Sequence, residues 1–189
     1  MGLEFELKYT AASDTLRTLA SEFGDFASIS METTYFDTAD RRLSAQKMTL
    51  RRRFENGVSV CTLKTPAASY GRGEWDAQAD WSEEAVRQLF DKAGQPPVPF
   101  EALTPVCGAK FTRLAKTVEL PDCILELALD EGILFGGGKE IPLCEVEVEL
   151  KEGAQEAVIR WALALANLHG LTAENASKFK RALALAEGI

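Results

Sequence analysis

The chain has 189 residues, of which 46% are hydrophobic and 26% are charged, a composition typical of one globular domain with a substantial core. Its formal net charge of −8 argues against a general nucleic-acid binder, which is usually basic. No apolar run approaches the ~20 residues that cross a bilayer, and no basic and apolar leader precedes the first charged residues. The four cysteines are scattered, which does not support a zinc site and fits a reducing compartment. We therefore expect a cytoplasmic protein with no membrane or nucleic-acid partner.

Eight segments alternate apolar and polar residues as strands do, and four segments show helical periodicity. Asn56-Gly57 predicts a tight hairpin turn, Ser13 and Ser82 are predicted helix caps, and the 136–138 glycines predict a hairpin tip. Strands joined by hairpins indicate an antiparallel sheet with packed helices, an α+β fold in a single domain over 1–189. In chain order we predict a strand over 3–9, a helix over 14–23, strands over 33–37, 48–54, 58–64 and 71–77, a helix over 83–93, strands over 110–120, 124–129 and 143–150, and helices over 154–168 and 177–186.

Charged residues alternate with apolar ones on one strand after another. Taken singly, each such strand is best explained as half-buried, with its charged face in water. Taken together, the strands differ from wet faces because basic and acidic residues lie on different strands and long ionic side chains predominate. The set contains the cations Lys8, Arg51, Arg53, Lys64, Arg72, Arg113, Lys178 and Arg181, and the anions Glu4, Glu6, Glu74, Glu126, Asp130, Glu145, Glu147 and Glu149.

If the sheet curls with its helices outside, the charged faces become the lumen of a barrel. An empty lumen of this kind would be unstable, because an unpaired buried charge costs several kcal/mol. A polyanion that carries divalent cations would satisfy both sets of charges. Arg and Lys bind phosphate oxygens, whereas Mg²⁺ or Mn²⁺ binds carboxylates and bridges them to other phosphate oxygens.

The ordered motifs resemble those of the CYTH superfamily, also called triphosphate tunnel metalloenzymes. The resemblance extends from the fourth residue almost to the end of the chain. It is carried by the ExExK signature Glu4-Phe5-Glu6-Leu7-Lys8, by Tyr35-Phe36-Asp37-Thr38, Leu50-Arg51-Arg52-Arg53 and Thr62-Leu63-Lys64, by Arg113, by the strand with Glu126 and Asp130, by Glu145-Val146-Glu147-Val148-Glu149, and by Ser177-Lys178 with Arg181.

This resemblance implies an eight-stranded antiparallel β-barrel, a tunnel with a charged lumen and helices packed outside, which binds a small-molecule triphosphate. Phosphates would be held by Lys8, Arg51, Arg53, Lys64, Arg113 and Lys178, with Arg72 and Arg181 as further candidates. One or two Mg²⁺ or Mn²⁺ ions would be held by Glu4, Glu6, Asp130, Glu145 and Glu147, with Glu74, Glu126 and Glu149 as ligands or supporting residues. Glu4, Glu6, Lys8 and Lys64 are the predicted catalytic residues.

One position departs from the family pattern. Relatives resembling bacterial inorganic triphosphatases often carry a second base two residues after the one at Arg113, but this chain has Ala115 there. Lys116 falls on the opposite face of the strand, and so one phosphate contact is in doubt. The sole histidine, His169, lies at the predicted end of an apolar helix and is better explained as a helix-terminal residue than as a catalyst.

The favoured function is metal-dependent hydrolysis of inorganic tripolyphosphate to pyrophosphate and phosphate. Glu4, Glu6 or Glu126 could accept the proton of the attacking water, and the sequence does not choose among them. The alternatives are a class IV adenylate cyclase that makes cyclic AMP from ATP, a thiamine triphosphatase, a non-catalytic polyphosphate- or nucleotide-binding module, and a β-rich interaction domain with wet charged faces. The sequence leaves the oligomeric state open, with a homodimer as one alternative.

Overall fold

The structure, a computed structural model, describes residues 5–66 and 72–189 without the side chain of Arg72. The described strands are β1 (Glu6–Thr10), β2 (Ala27–Asp37), β3 (Thr49–Glu55), β4 (Val58–Pro66), β5 (Arg72–Ala77), β6 (Thr104–Leu120), β7 (Cys123–Gly136), β8 (Lys139–Gly153) and β9 (Thr172–Ala173). The described α-helices are α1 (Ser13–Phe23), α2 (Arg42–Ala45), α3 (Glu83–Ala93), α4 (Gln155–His169) and α5 (Lys178–Glu187), and a 3-10 turn spans Phe100–Ala102.

All nine described strands belong to one antiparallel sheet with the order β5-β4-β3-β2-β6-β7-β8-β1-β9. Each of the eight predicted strands is present, and the α+β antiparallel fold is confirmed. Strands β2, β6 and β7 are longer than predicted, because each pairs with long neighbours along its whole length. The short strand β9, which pairs with the end of β1, was not predicted.

The sheet curves around one cavity. Within the described ranges, β5 and β9 form the two edges and no pairing joins them, so the sheet is open at this seam. Side chains from every strand between β1 and β8 nevertheless line the same cavity. The face of the sheet that lines it is called the concave face below, and closure into a complete barrel stays a prediction.

Two apolar clusters cover the opposite, convex face. Helices α1 and α4 direct buried residues such as Leu19 and Val158 against Leu127 and Val148 of the sheet. Helix α3, with the short helix α2, covers the β3–β5 part of the sheet, where Trp75 packs as predicted on the side away from the cavity. Burial of these alternate strand residues leaves their charged neighbours on the concave face.

Helix α5 corrects the prediction that the helices pack outside. Its buried Ala182 and neighbouring Phe179 lie against Tyr35 and Phe111, which are on the concave face of β2 and β6. The physical reason is that the inward positions at this end of the sheet are aromatic or aliphatic rather than charged. Helix α5 approaches the sheet so closely that a Cβ atom on Gly136 would lie 2.5 Å from the Ala182 carbonyl oxygen. Its first residues, Lys178 and Phe179, line the cavity.

Local turn and cap signals are largely confirmed. Asn56 and Gly57 both have positive φ values, 49° and 84°, as the predicted hairpin between β3 and β4 requires. Ser82 caps α3 by accepting a hydrogen bond from the Ala85 amide. The prediction of Ser13 as a cap is wrong, since Ala12 precedes the first turn and the Ser13 hydroxyl contacts Glu131 instead. No described helix is both long and apolar enough to cross a membrane.

Candidate functional site

The strand register brings the predicted charges onto the concave face. Glu6 of β1 lies beside Glu149 of β8, and Glu149 lies beside Glu126 of β7. At the other side of the sheet, Lys64 of β4 lies beside Glu74 of β5. Paired residues of neighbouring antiparallel strands point to the same side, so strands distant in sequence present one continuous charged surface.

This surface encloses a cavity of about 660 Å³. Among the described residues, seven basic and six acidic side chains line it, giving a local net charge of +1 in a chain of net charge −8. A cavity of this size is within the usual range for a small-molecule site. Its charged lining consists of Glu6, Lys8, Arg51, Arg53, Glu55, Lys64, Glu74, Arg113, Glu126, Glu147, Glu149, Lys151 and Lys178.

Arg51, Arg53 and Lys64 form a basic wall on β3 and β4. The Nε of Arg53 donates to Thr33 Oγ1 over 3.1 Å, and its side chain is only 13% exposed. Burial, followed by the positive charges of Arg51 and Arg113, lowers the pKa of Arg53 to about 10. Within the described part of the chain, the buried Nε of Arg51 has no hydrogen-bond partner. These observations indicate a wall that an anion would stabilise.

Glu74 partly neutralises the basic wall. Its Oε2 lies 3.0 Å from Lys64 Nζ, and its Oε1 lies 3.4 Å from an Nη of Arg51. The carboxylate therefore orients two bases toward the cavity. In this position Glu74 supports the basic wall and is not grouped with the other acids.

Glu6, Glu149 and Glu126 form an acidic row across β1, β8 and β7. Their side chains are 23%, 24% and 29% exposed, respectively. Lys151 Nζ lies 2.7 Å from Glu149 and 3.8 Å from Glu126, and Lys8 Nζ lies 3.5 Å from Glu6. Partly exposed carboxylates that face a cavity are suitable ligands for a hard divalent cation, so this row fits Mg²⁺ or Mn²⁺ chemically.

Asp130, Glu145 and Glu147 form a carboxylate triad at the cavity floor, where Glu147 also lines the cavity. Their ligand oxygens lie within 4.8 Å of one another, and all three residues are buried. Lys178 Nζ lies 2.8 Å from Asp130 Oδ2 and 2.6 Å from Glu147 Oε1, and it also contacts Glu145. The triad thus already surrounds a cation supplied by the chain.

Two arginines complete the network around the triad. Arg113 donates from Nε to Asp130 Oδ1 over 2.8 Å and from an Nη to Oδ2 over 2.7 Å, and it also contacts Glu147. Arg181 of α5 contacts Glu145. A bidentate pair of this kind fixes both the position and the orientation of the guanidinium.

The network keeps its buried groups charged. Burial alone would raise the pKa of Glu147, but the charges of Lys178 and Arg113 outweigh it and hold that pKa well below its usual range. Burial alone would likewise lower the pKa of Lys178, but Glu147, Asp130 and Glu145 raise it overall. Glu147 and Lys178 are therefore both ionised at neutral pH.

The structure thus assembles most of the predicted site. Glu4 lies outside the described residues, as does the side chain of Arg72, and the other predicted residues surround the cavity or the triad at its floor. Glu55 and Lys151 also line the cavity and were missed. They continue the every-second-residue pattern of β3 and β8, which would have identified them.

Ala115 departs from the family pattern, and the structure places it as predicted, on the cavity side of β6. Ala115 lines the cavity, whereas Lys116 lies on the convex side and donates to the carbonyl oxygens of Phe23, over 2.6 Å, and Gly24, over 3.0 Å. Lys116 therefore caps the end of α1 and contributes nothing to the cavity. His169 ends α4, as predicted.

Comparisons with known proteins agree with this geometry. Residues 2–183 match the model of the CYTH domain family. An inorganic triphosphatase of Haemophilus influenzae is 31% identical over 153 residues, which cover 78% of this chain but only 44% of that protein. The chain thus spans less than half the length of this curated relative.

Two solved structures share the fold. An adenylyl cyclase-like protein of Hippeastrum, described as having a dominant triphosphatase activity, superposes with a TM-score of 0.68 at 22% identity, covering 100% of this chain and 96% of that one. An adenylate cyclase-like protein of Bacillus halodurans gives a TM-score of 0.61 at 18% identity, covering 93% and 94%. At these identities the structural similarity establishes the fold of the chain but not the reaction that it catalyses.

Proposed function

Because this chain belongs to the CYTH domain family, we propose that it is a divalent-metal-dependent triphosphatase that hydrolyses inorganic tripolyphosphate to pyrophosphate and phosphate. The observation that carries the proposal is a single cavity in which a basic wall and an acidic row share one curved face. A polyanion with bound metal is the guest that satisfies both. The similarity to the Haemophilus influenzae inorganic triphosphatase supports this substrate.

The basic wall would bind the phosphate oxygens. Arg51 and Arg53 present guanidinium groups that suit bidentate contacts with phosphate, and Lys64 adds a point charge. Lys8, from the opposite side of the cavity, would complete the contacts to the chain of phosphates. Bound phosphate would offset the burial and the repulsion that together lower the pKa of Arg53.

The acidic row would hold the metal, together with Glu4 as predicted from the ExExK signature. A bound Mg²⁺ or Mn²⁺ ion supplies charge neutralisation and orientation of the attacking water. A carboxylate of this row, with Glu6 and Glu126 as the described candidates, would accept the proton of that water. The bases Lys8 and Lys64 would stabilise negative charge on the transferred phosphoryl group and on the leaving pyrophosphate.

A closed tunnel is part of the same proposal. Helix α5 already covers one end of the concave face, and strands β1 to β8 all contribute to the cavity. We propose that β5 and the β1–β9 edge approach each other around the bound triphosphate, which would exclude water other than the nucleophile. The cytoplasmic location and the homodimer stay predictions from the sequence.

Phosphate release from tripolyphosphate by the purified chain, with Mg²⁺ or Mn²⁺ and with EDTA, tests the proposal. Lys64→Ala should lower kcat/KM by at least about tenfold, because one charge-assisted phosphate contact is lost. Glu4→Ala should likewise abolish most turnover. Parallel reactions with ATP and thiamine triphosphate, assayed for cyclic AMP and phosphate, distinguish the cyclase and the thiamine enzyme.

Lys110→Ala is the matched control, because Lys110 lies on the convex side with its side chain 68% exposed. It should retain the activity of the unaltered chain. Full turnover in both Lys64→Ala and Glu4→Ala would show that the proposed site is wrong. Tight tripolyphosphate binding without turnover would identify a binding module instead.

A further inference from the structure

The ammonium group of Lys178 occupies the position where the carboxylate triad would hold a metal ion. Its Nζ lies 2.8 Å from Asp130 and 2.6 Å from Glu147, and it also donates to Glu145. The three carboxylates converge within 4.8 Å of one another, an arrangement that could itself hold a metal ion. An ammonium nitrogen and a divalent ion cannot share this space, so each excludes the other.

The charge balance of the network also disfavours a metal ion in the triad. Three carboxylates contact three bases from the chain, namely Lys178, Arg113 and Arg181, and Arg181 also lies 3.8 Å from Glu174. A divalent ion added to this set would leave an excess of positive charge among side chains that are mostly buried. Excess buried charge of one sign is strongly unfavourable.

Lys178 is held in this position by the helix that carries it. It is the first residue of α5, where Ser177 Oγ accepts a hydrogen bond from the Lys180 amide. The next residue, Phe179, packs on the concave face, and Lys178 Nζ lies 5.3 Å from the centre of the Phe111 ring. These contacts fix the backbone of Lys178 beside the triad.

The acidic row differs from the carboxylate triad in its exposure and in the bases that contact it. Glu6, Glu149 and Glu126 are about a quarter exposed, and they face the cavity rather than a helix. Their basic neighbours, Lys8 and Lys151, come from the same strands as Glu6 and Glu149 and have side chains that are 19% and 41% exposed. These two lysines can turn toward other anions without a change in the fold.

We propose that Lys178 is the resident cation of the carboxylate triad, that it excludes divalent metal from the triad while α5 is docked, and that metal in the cavity binds to the acidic row. Lys178 then positions α5 and completes the cavity floor instead of binding phosphate. The inference rests on the proposed function for the acidic row as the metal site and for the choice of Mn²⁺ as the probe, whereas the role of Lys178 in the triad does not.

Mn²⁺ binding to the full chain, measured by EPR of the free ion, tests the inference without any substrate. Lys178→Met removes the ammonium, and it should bind about one Mn²⁺ per chain more than the unaltered protein, because the triad becomes free to coordinate the ion. The double variant Lys178→Met/Asp130→Asn should lose this gain. Lys180→Met, on an exposed residue of the same helix, should leave the stoichiometry unchanged.

An unchanged stoichiometry in folded Lys178→Met would overturn the inference. A second measurement uses the unaltered chain, in case the variant does not fold. In crystals grown with Mn²⁺, anomalous scattering should place the ion at the acidic row, and a peak inside the triad would refute the role of Lys178. If the unaltered chain bound no Mn²⁺ at all, the proposed metal dependence would fail, whereas the gain in Lys178→Met would still decide this inference.

Discussion

Arg53 shows at the scale of one residue how the charges of the basic wall oppose folding. Burial of its guanidinium, together with repulsion from Arg51 and Arg113, lowers its pKa to about 10. Its nearest described carboxylate, on Glu55, is 3.6 Å away and is itself 42% exposed. Such an arrangement is unfavourable until an anion arrives, and therefore it is more readily explained by binding than by folding.

Arg53→Met should separate the effect of Arg53 on stability from its effect on substrate binding. The substitution removes the repulsion, so we expect the free energy of unfolding of the substrate-free chain to rise by about 1 kcal/mol. It also removes a phosphate ligand, so kcat/KM for tripolyphosphate should fall by at least about tenfold. Urea unfolding and phosphate release measure the two quantities.

Arg52→Met is the control for this change. Arg52 is the next residue on β3, and it lies over the Phe54 ring at 4.8 Å, on the face opposite the cavity. Its loss should leave kcat/KM unchanged. A variant at Arg53 that loses stability but keeps its activity would contradict the assignment of the basic wall.

Glu147 predicts how stability depends on pH. Its pKa in the folded chain lies well below the ordinary value of 4.5 for this side chain, because Lys178 and Arg113 outweigh the effect of burial. A carboxyl group with a depressed folded pKa contributes stability above its unfolded pKa and loses that contribution as the pH falls. The unfolding free energy should therefore decrease from about pH 5 downward.

Glu147→Gln provides the comparison. It should destabilise the chain by about 3 kcal/mol at pH 7, because Lys178 and Arg113 lose a buried partner. Its unfolding free energy should change less than that of the unaltered chain between pH 5 and pH 3. Parallel pH profiles for the two proteins, measured by urea unfolding, would disprove the role of Glu147 in acid sensitivity.

At the scale of one element, the two faces of β6 have different roles: one lines the cavity and the other stabilises the fold. Ala115 faces the cavity, and Lys116 faces away and binds the last carbonyl groups of α1. The alternation of the strand alone predicts these two directions. The hydrogen bonds of Lys116 to Phe23 and Gly24 could not be predicted, since they depend on where α1 ends in space.

Lys116→Met should therefore affect stability alone. The loss of hydrogen bonds from a charged group to two carbonyls at a helix end should lower the free energy of unfolding by about 1–2 kcal/mol. The values of kcat and KM for tripolyphosphate should stay those of the unaltered chain. A large fall in kcat would show that this side of β6 takes part in the site.

The elements that could not be predicted share one property. The segment 27–32 becomes a strand by pairing with residues 110–115 of β6, and the start of β6 does so by pairing with residues 33–37 of β2. The two-residue strand β9 exists only through its pairing with β1. Helix α2 is held by the buried Asp37 carboxylate, which accepts hydrogen bonds from the Leu43 and Ser44 amides. Tertiary contacts determine whether such segments form a strand or a helix, so the local periodicity of the sequence does not predict them.

At the scale of the whole molecule, a chain of net charge −8 encloses a cavity whose described lining carries +1. The sequence predicted the shared charged face, because alternation and strand order determine it. It could not predict that Lys178 and Arg181 would bond to the predicted metal ligands. These bonds depend on the packing of α5 on the concave face, where it contacts apolar residues such as Phe111 and Leu143.

The central claim is that the concave face encloses a triphosphate together with its metal. A crystal structure of the full chain with Mn²⁺ and a non-hydrolysable tripolyphosphate analogue tests it most directly. The account predicts phosphates against Arg51, Arg53 and Lys64, with Mn²⁺ between them and the row of Glu6, Glu149 and Glu126. An analogue bound on the convex surface, or phosphates bound in the cavity without contact to those three bases, would contradict it.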